Sequence, residues 1–262
     1  CLPLIECREG VSTVKQIFEK RIFSVALLSI LTLSTCYYLF LWKGNTVPAM
    51  AHPDRFSAET IIIDAGHGGE DGGAVSPSGT VESSINLAVA KRLDSILGLY
   101  GANVIMLREK DVSLHDPGSE TLRQKKVSDL HKRVKIIEET PNATLISIHQ
   151  NTYSGSSKYH GAQVFYASEA SSLPFAKFVQ ETLRVVLDPE NGRKAAKIPD
   201  TVYLMNHITC RAILVECGFL SNPDEDVLLQ TSGYQTKIAT ALAGAYLGYS
   251  ETDLEEPFQN EG

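Results

Sequence analysis

Along the chain the spacing of apolar positions changes from region to region, and each change of period marks an element. Near the amino terminus a largely apolar run extends from Ile22 to Trp42, preceded by Lys15, Lys20 and Arg21 and closed by Lys43. About twenty such residues suffice to span a bilayer. Cationic residues on the amino-terminal side keep that end in the cytoplasm, so the rest of the chain is expected to be exported. Ala49-Met50-Ala51 has the small-x-small form of a signal peptidase site, which leaves cleavage and permanent anchoring both open. A lipoprotein signal at Leu33-Ser34-Thr35-Cys36 is a weaker reading, because Tyr37 to Trp42 stays apolar where such chains turn polar. The organisation expected is a cytoplasmic n-region at 1–21, an anchor or signal sequence at 22–42, a linker at 43–58, one folded domain at 59–249 and a loose acidic tail at 250–262.

From Glu59 to about Tyr249, short apolar runs alternate with stretches of helical period. Ile61-Ile62-Ile63-Asp64 reads as a buried strand, as do Asn103 to Leu107, Thr144 to Ile148, Ala162 to Tyr166 and Ala212 to Val215. Between the first two, Ile85, Val89, Leu93 and Ile96 share one helical face, and Gly98 and Gly101 mark its end. Further helices are expected over Asp129 to Glu139, stopped by Pro141, over Leu173 to Leu187 and over Tyr234 to Leu247. Strands alternating with helices of this length indicate a single three-layer α/β domain, a mostly parallel sheet with helices on both faces.

Composition then narrows the classes of function. The 262 residues can bury a full core. A formal net charge of −7 argues against a nucleic-acid partner held through its phosphates, which needs a basic face. The five cysteines, Cys1, Cys7, Cys36, Cys210 and Cys217, form no CxxC pair. Cys210 and Cys217 flank one expected strand and, at about 3.3 Å per residue, lie roughly 20 Å apart, too far to bridge. No disulfide framework is expected.

Ligands of open α/β sheets sit beyond the carboxyl ends of the strands, and three polar residues fall there. His67 follows the first strand in Asp64-Ala65-Gly66-His67-Gly68-Gly69, His149 follows the third in Ser147-Ile148-His149-Gln150-Asn151, and Glu216 ends another in Leu214-Val215-Glu216-Cys217-Gly218-Phe219. Glu82 opens the first helix, where the helix dipole favours a carboxylate and the chain can return it to the same rim. Two imidazoles and one carboxylate with an open fourth position form a catalytic zinc pattern. A second carboxylate, Glu216, then fits the proton-transfer role that metal-assisted hydrolysis needs. Taken singly, each residue is more often an ordinary one, a hydrogen-bonded loop histidine or a helix-opening glutamate. The glycine-rich loop lacks the GxxxxGK[ST] phosphate pattern, and no HExxH helix is present. Ser12 to Lys15, the one Ser-x-x-Lys, precedes the apolar run and cannot meet an exported substrate.

Ile62 to Gly69, Glu82 with its helix, Ser147 to Asn151, and Val215-Glu216-Cys217-Gly218-Phe219-Leu220-Ser221-Asn222 together resemble the zinc-dependent N-acetylmuramoyl-L-alanine amidases that separate daughter cells or trim spore cortex. The resemblance runs from about residue 60 to 248. It implies that 59–249 is a catalytic domain with a six-stranded sheet, that one zinc ion is held by His67, Glu82 and His149, and that Glu216 is the catalytic carboxylate. The implied reaction cuts the amide between the lactyl group of N-acetylmuramic acid and the L-alanine of the stem peptide. Peptidoglycan or a muramyl peptide is then the substrate, the amino-terminal segment meets the membrane, a protein activator is allowed, and the enzyme works in the periplasm or on the outer face of the cytoplasmic membrane. A zinc peptidase acting on the stem peptide and a non-catalytic wall-binding protein of the same fold are the alternatives.

Softer matches are Arg108 with Asp111 and Leu130 with Arg133, expected to form a structural ion pair under the sheet more than to take part in catalysis, and Asn151 and Asn222, which either shape the substrate groove or cap turns. His52, His115, His131, His160 and His207 match no ligand position. Two departures stand out: Gln150, which is expected to narrow the floor near the metal, and Cys210-Arg211, which is expected to tilt Glu216 slightly. The interval between His149 and Glu216 has no room for a long inhibitory helix.

Overall fold

The computed structural model describes residues 20–24, 28–34 and 59–249. The chain divides into two compact units, Cys1–Ala51 and His52–Gly262. In the first, residues 20–24 and 28–34 are helical, and Phe23, Leu28 and Leu33 expose their side chains. Among the described residues no helix is long and apolar enough to cross a membrane. Most of the remaining expected segment, together with Cys36, Ala49-Met50-Ala51, the linker, His52 and the acidic tail, lies outside the described residues.

The second unit is built on a six-stranded sheet. In chain order the strands are β1 (Thr60–Ala65), β2 (Asn103–Met106), β3 (Ala143–Asn151), β4 (Gln163–Tyr166), β5 (Ala196–Lys197) and β6 (Arg211–Phe219). Across the sheet they lie in the order β2-β1-β3-β6-β4-β5. The pairs β1–β2, β1–β3, β3–β6 and β4–β5 are parallel, and only β4–β6 is antiparallel. The helices are α1 (Glu82–Leu99), α2 (Leu122–Glu138), α3 (Ser172–Leu187), α4 (Tyr203–Asn206), α5 (Pro223–Leu229) and α6 (Ser232–Gly248).

Every residue of β1 is buried, as its unbroken apolar run requires of a strand covered on both faces. Alternation divides it between two cores. Ile61 and Ile63 pack with Val89 and Leu93 of α1, Phe175 of α3 and Leu242 of α6, whereas Ile62 packs with Ile137 of α2 and Leu204 and Met205 of α4. These are the three expected layers.

The elements differ from expectation mainly at their ends. Helix α2 starts seven residues before Asp129, on a capping box in which the Thr121 side chain accepts from Gln124 N and the Gln124 side chain accepts from Thr121 N. Its first turns carry Arg123-Gln124-Lys125-Lys126, exposed except for the half-buried Lys125, so no apolar period announces them. Strands β3 and β6 run past Ile148 and Val215, which places His149 and Glu216 inside the strands. The two-residue β5 and four-residue α4 are too short to leave a periodic signal. Together with β4 and α3, they fill the interval between His149 and Glu216.

Candidate metal centre

His67 sits in the turn that leaves β1, and its backbone is in the left-handed region at φ 61°. A non-glycine residue there costs on the order of 1–3 kcal/mol unless its surroundings fix it. Two buried arginines do so. Arg108 donates to the carbonyls of Ala65 (2.7 Å), Gly66 (3.0 Å) and Ser83 (2.8 Å). Arg133 donates to the carbonyls of His67 (2.8 Å) and Ala65 (3.1 Å) and pairs with Asp64 and Asp129. Burial opposes ionisation of Asp64, but Arg133, His149 and Ser147 outweigh it and hold its pKa below the usual carboxylate value. The ion pair under the sheet is therefore Arg133 with Asp64 and Asp129. Arg108 binds carbonyls instead, and Asp111 accepts from Gly69 N at 2.9 Å.

Helix α1 opens with Glu82, which is 3% exposed. Its Oε2 accepts from Ala74 N at 2.8 Å, and its Oε1 from Asn86 Nδ2 and Gln150 N, both at 3.2 Å. Gln150 therefore corrects one expectation. Strand alternation turns its side chain towards α1, where Nε2 donates to Asn86 at 3.1 Å, so it steadies Glu82 and does not line the floor beside His149. The register likewise opposes a tilt of Glu216: β6 pairs in unbroken parallel register from Arg211 to Glu216.

The residues expected to hold a metal come together. His67 Nε2 lies 3.3 Å and His149 Nδ1 2.9 Å from Glu82 Oε1, and the two rings meet edge-on with centroids 5.1 Å apart. One ligand atom from each of the three lies within 4.8 Å of the others. Donors bonded at about 2.0–2.2 Å around a tetrahedral ion stand roughly 3.3 Å apart, a spacing that the two histidine distances to Glu82 match. Close packing shapes the site. A Cβ on Gly66 would fall 2.2 Å from His149 Cε1, and one on Gly73 would fall 2.5 Å from Glu82 Oε2.

Electrostatics separates the two carboxylates. Burial works against ionisation of Glu82, but hydrogen bonds and charge from His149 and His67 hold it far below the usual carboxylate range. Burial also works against charging His67, yet Asp71 and Glu82 overcome it and raise its pKa to about 9. Glu216 faces the same way as His149, its register partner in β3. Its Oε2 is buried with no hydrogen-bond partner among the described residues. Burial, with the nearby charge of Glu82 and against the pull of His149 and His67, pushes its carboxyl up to about 7. The surroundings thus keep the Glu82 carboxylate ionised and the Glu216 carboxyl close to neutrality.

One contributor is not evident from the sequence. Asp71 Oδ2 lies 3.0 Å from His67 Nδ1, and Gly68 and Asp71 close the loop through paired backbone bonds of 2.8 and 3.3 Å. The visible signal is an acidic residue four positions after the histidine inside a glycine-rich turn. A pocket of about 130 Å³ opens beside His67, lined by Asp71, Ser113, His115, Lys125 and Lys126 among others. His115 thus borders the centre without joining it. His160 pairs with Asp188, and His131 and His207 pack against Tyr203. Asn222 caps α5, accepting from Asp224 N and Glu225 N, while the Asn151 carbonyl accepts from Leu220 N.

The model of the N-acetylmuramoyl-L-alanine amidase family matches residues 61–246. The germination-specific N-acetylmuramoyl-L-alanine amidase of Bacillus subtilis is 39% identical over 209 residues, covering 79% of this chain and 84% of that relative. Among solved structures, the CwlD amidase of Clostridioides difficile, determined in complex with the GerS lipoprotein, is similar at TM-score 0.70 and 40% identity, over 73% of this chain and 98% of that one. A second N-acetylmuramoyl-L-alanine amidase, from Clostridium difficile 630, is similar at TM-score 0.64 and 25% identity, over 76% and 99%. With the fold, the converging side chains and these relatives in agreement, the chain belongs to the N-acetylmuramoyl-L-alanine amidase family.

Proposed function

We propose that this chain is a zinc-dependent peptidoglycan amidase, cutting the amide between the lactyl group of N-acetylmuramic acid and the L-alanine of the stem peptide. One observation carries the reading: His67, Glu82 and His149 present atoms within 4.8 Å of one another beside Glu216, whose buried Oε2 has no hydrogen-bond partner among the described residues. Two imidazoles and a carboxylate, with a position left for water, are the donor set of a catalytic zinc site. A bound zinc ion supplies Lewis acidity to water and to the scissile carbonyl. Glu216 takes a proton from the attacking water and returns it to the leaving nitrogen, a task suited to a carboxyl held near neutrality. Arg108 and Arg133 keep the His67 turn in place while this happens.

The domain 59–249 would work outside the cytoplasm, on the outer face of the membrane or in the periplasm, with the apolar run 22–42 as anchor or export signal. Support comes from the cations before that run and from the exposed apolar side chains of residues 28–34. A lipoprotein partner like the one bound by the Clostridioides difficile relative fits the same reading.

The test is digestion of a defined muramyl peptide by wild type and Glu216→Ala, with and without a chelator. Release of intact stem peptide by the wild type, its loss on chelation and return with zinc, and a Glu216→Ala variant that binds zinc but does not hydrolyse are expected. Cleavage within the stem peptide would show a peptidase instead. Hydrolysis by Glu216→Ala at the wild-type rate would remove that residue from its role.

A further inference from the structure

The geometry points to Asp71 as a positioning residue that fixes the tautomer and orientation of His67, so that Nε2 is free to meet the metal. The inference rests on the metal-site reading above but concerns a residue outside the ligand set. His67 Nδ1 lies 3.0 Å from Asp71 Oδ2. An ionised carboxylate only accepts hydrogen bonds, so Nδ1 must carry the proton and donate it. Nε2 faces Glu82 Oε1 at the longer 3.3 Å, so when the ring gives up one proton to take a metal it is Nε2 that loses it and offers its lone pair, while Asp71 keeps the hydrogen on Nδ1. In solution a neutral histidine side chain carries its proton mostly on Nε2, the form that cannot ligate through that atom. Asp71 reverses this preference.

Asp71 is itself fixed. Its Oδ2 also faces Lys126 Nζ of α2 at 3.3 Å, and its Oδ1 accepts from Gly73 N at 3.3 Å. The paired backbone bonds to Gly68 hold its main chain. The two histidines are therefore oriented by different means. His149 is wedged over Gly66, where no side chain could fit, whereas His67 stands in a strained turn and takes its orientation from a charged acceptor. Carboxylates placed behind a ligating histidine typically change metal affinity by about 10–100-fold when removed.

Two readouts test the inference, neither of which is turnover. In metal-free protein with ¹⁵N-labelled histidine, long-range proton–nitrogen NMR spectra above pH 9 report which ring nitrogen of His67 carries hydrogen. Zinc affinity is measured by competition with a chromogenic chelator. Wild type should show the Nδ1–H form. Asp71→Ala should lose that preference and bind zinc about 10–100-fold more weakly. Asp71→Asn keeps one acceptor oxygen, so it should retain the tautomer and lose affinity by a smaller factor. An Asp71→Ala protein with wild-type affinity and an unchanged tautomer overturns the inference. If Asp71→Ala does not fold, Asp71→Asn decides: affinity equal to wild type overturns the inference, and a several-fold loss supports it. A wild type that binds no zinc would sink the metal-site reading instead, and the tautomer measured in metal-free protein would still decide the role of Asp71.

Discussion

His149 on β3 and Glu216 on β6 are register partners in a parallel pair, so their side chains leave the sheet on the same face at neighbouring positions. Adjacent strands lie about 4.8 Å apart, which brings an imidazole and a carboxyl together without any loop to align them. A slip of one residue in β6 would turn Glu216 into the core shared by α1, α3 and α6 and bring Val215 or Cys217 to the rim. The Glu216 carboxyl is thus fixed by the pairing of two central strands, and its cost appears in stability.

Glu216→Gln should abolish most hydrolysis and stabilise the metal-free protein at alkaline pH. The carboxyl is raised from 4.5 in the unfolded chain to about 7 in the folded one. A group raised in this way favours the folded state fully below pH 4.5, and that contribution is lost as pH rises through 7. The loss amounts to roughly 3 kcal/mol at most, since each pH unit separating the two values is worth about 1.4 kcal/mol. Glutamine has the same shape and no charge to bury. Thermal melts of metal-free protein should therefore favour the variant at pH 8 and bring the two proteins close together at pH 4. Removal of a general base lowers turnover by about 10²–10⁴-fold. Equal midpoints at pH 8 would contradict the raised carboxyl.

Zinc affinity should climb by about tenfold per pH unit below pH 9 and flatten above it. His67 is charged up to about pH 9 in the metal-free protein, and a ligand must lose its proton before it binds. For stability without metal the sign is the opposite. The imidazolium is raised from 6.5, so its contribution is whole below pH 6.5 and disappears as pH passes 9. Titration calorimetry in buffers of different ionisation enthalpy checks the affinity trend by counting protons released. No proton release at pH 7.5 would contradict it.

The legible parts of the chain are those whose physics is local. Ile61-Ile62-Ile63 announces a strand buried on both sides, and both cores claim it. His67, Glu82, His149 and Glu216 stand out because polar groups at strand ends or opening a helix of such a sheet meet at one rim. Asp71 does not stand out, since an aspartate among glycines reads as an ordinary turn residue, and its role exists only once Gly68 and Asp71 close the loop. The early start of α2 is hidden because its first turns are mostly polar and exposed and carry no apolar period. Helix α5, absent from the expected elements, does carry a readable signal: Asn222 as cap, Pro223 in the first turn, then Asp224, Glu225 and Asp226 at the positive end of the dipole. The reversal of β4 against β6 depends on tertiary pairing and leaves no local mark.

Arg133→Ala should destabilise the domain by about 3–5 kcal/mol, because it leaves Asp64 buried and charged without its partner. Removing both charges, as in Asp64→Asn with Arg133→Leu, should recover part of that loss while still failing to restore zinc binding. The recovery comes from discarding the unpaired charge. The failure follows because leucine cannot donate to the carbonyls of His67 and Ala65, which Arg133 holds at 2.8 and 3.1 Å. Urea denaturation gives the stabilities, and chelator competition gives the affinities. A double variant that bound zinc like wild type would show that the turn holds His67 without the arginine.

Gly66→Ala isolates the centre from the fold. A Cβ at that position would lie 2.2 Å from His149 Cε1 and 2.3 Å from Nε2, far inside van der Waals contact. The backbone there is pinned by Gly66 N donating to Ile148 O at 3.0 Å and by the Arg108 bond to its carbonyl, so the ring has to move. Displacing one ligand by an ångström or more breaks geometry that tolerates about 0.2 Å. Zinc affinity should fall by well over tenfold while the sheet persists, because the ring can swing out towards the solvent-facing rim without disturbing either core. Gly98→Ala is the control. Among the described residues nothing lies within 4 Å of a Cβ at that position in the last turn of α1, and helical alanine is favoured over glycine by roughly 0.5–1 kcal/mol. It should melt at or above the wild-type temperature and bind zinc as wild type does. If Gly66→Ala kept wild-type affinity, His149 would have to reach the metal from a position other than the one wedged over residue 66, and the separation of ligand atoms that supports the site would no longer describe the working enzyme.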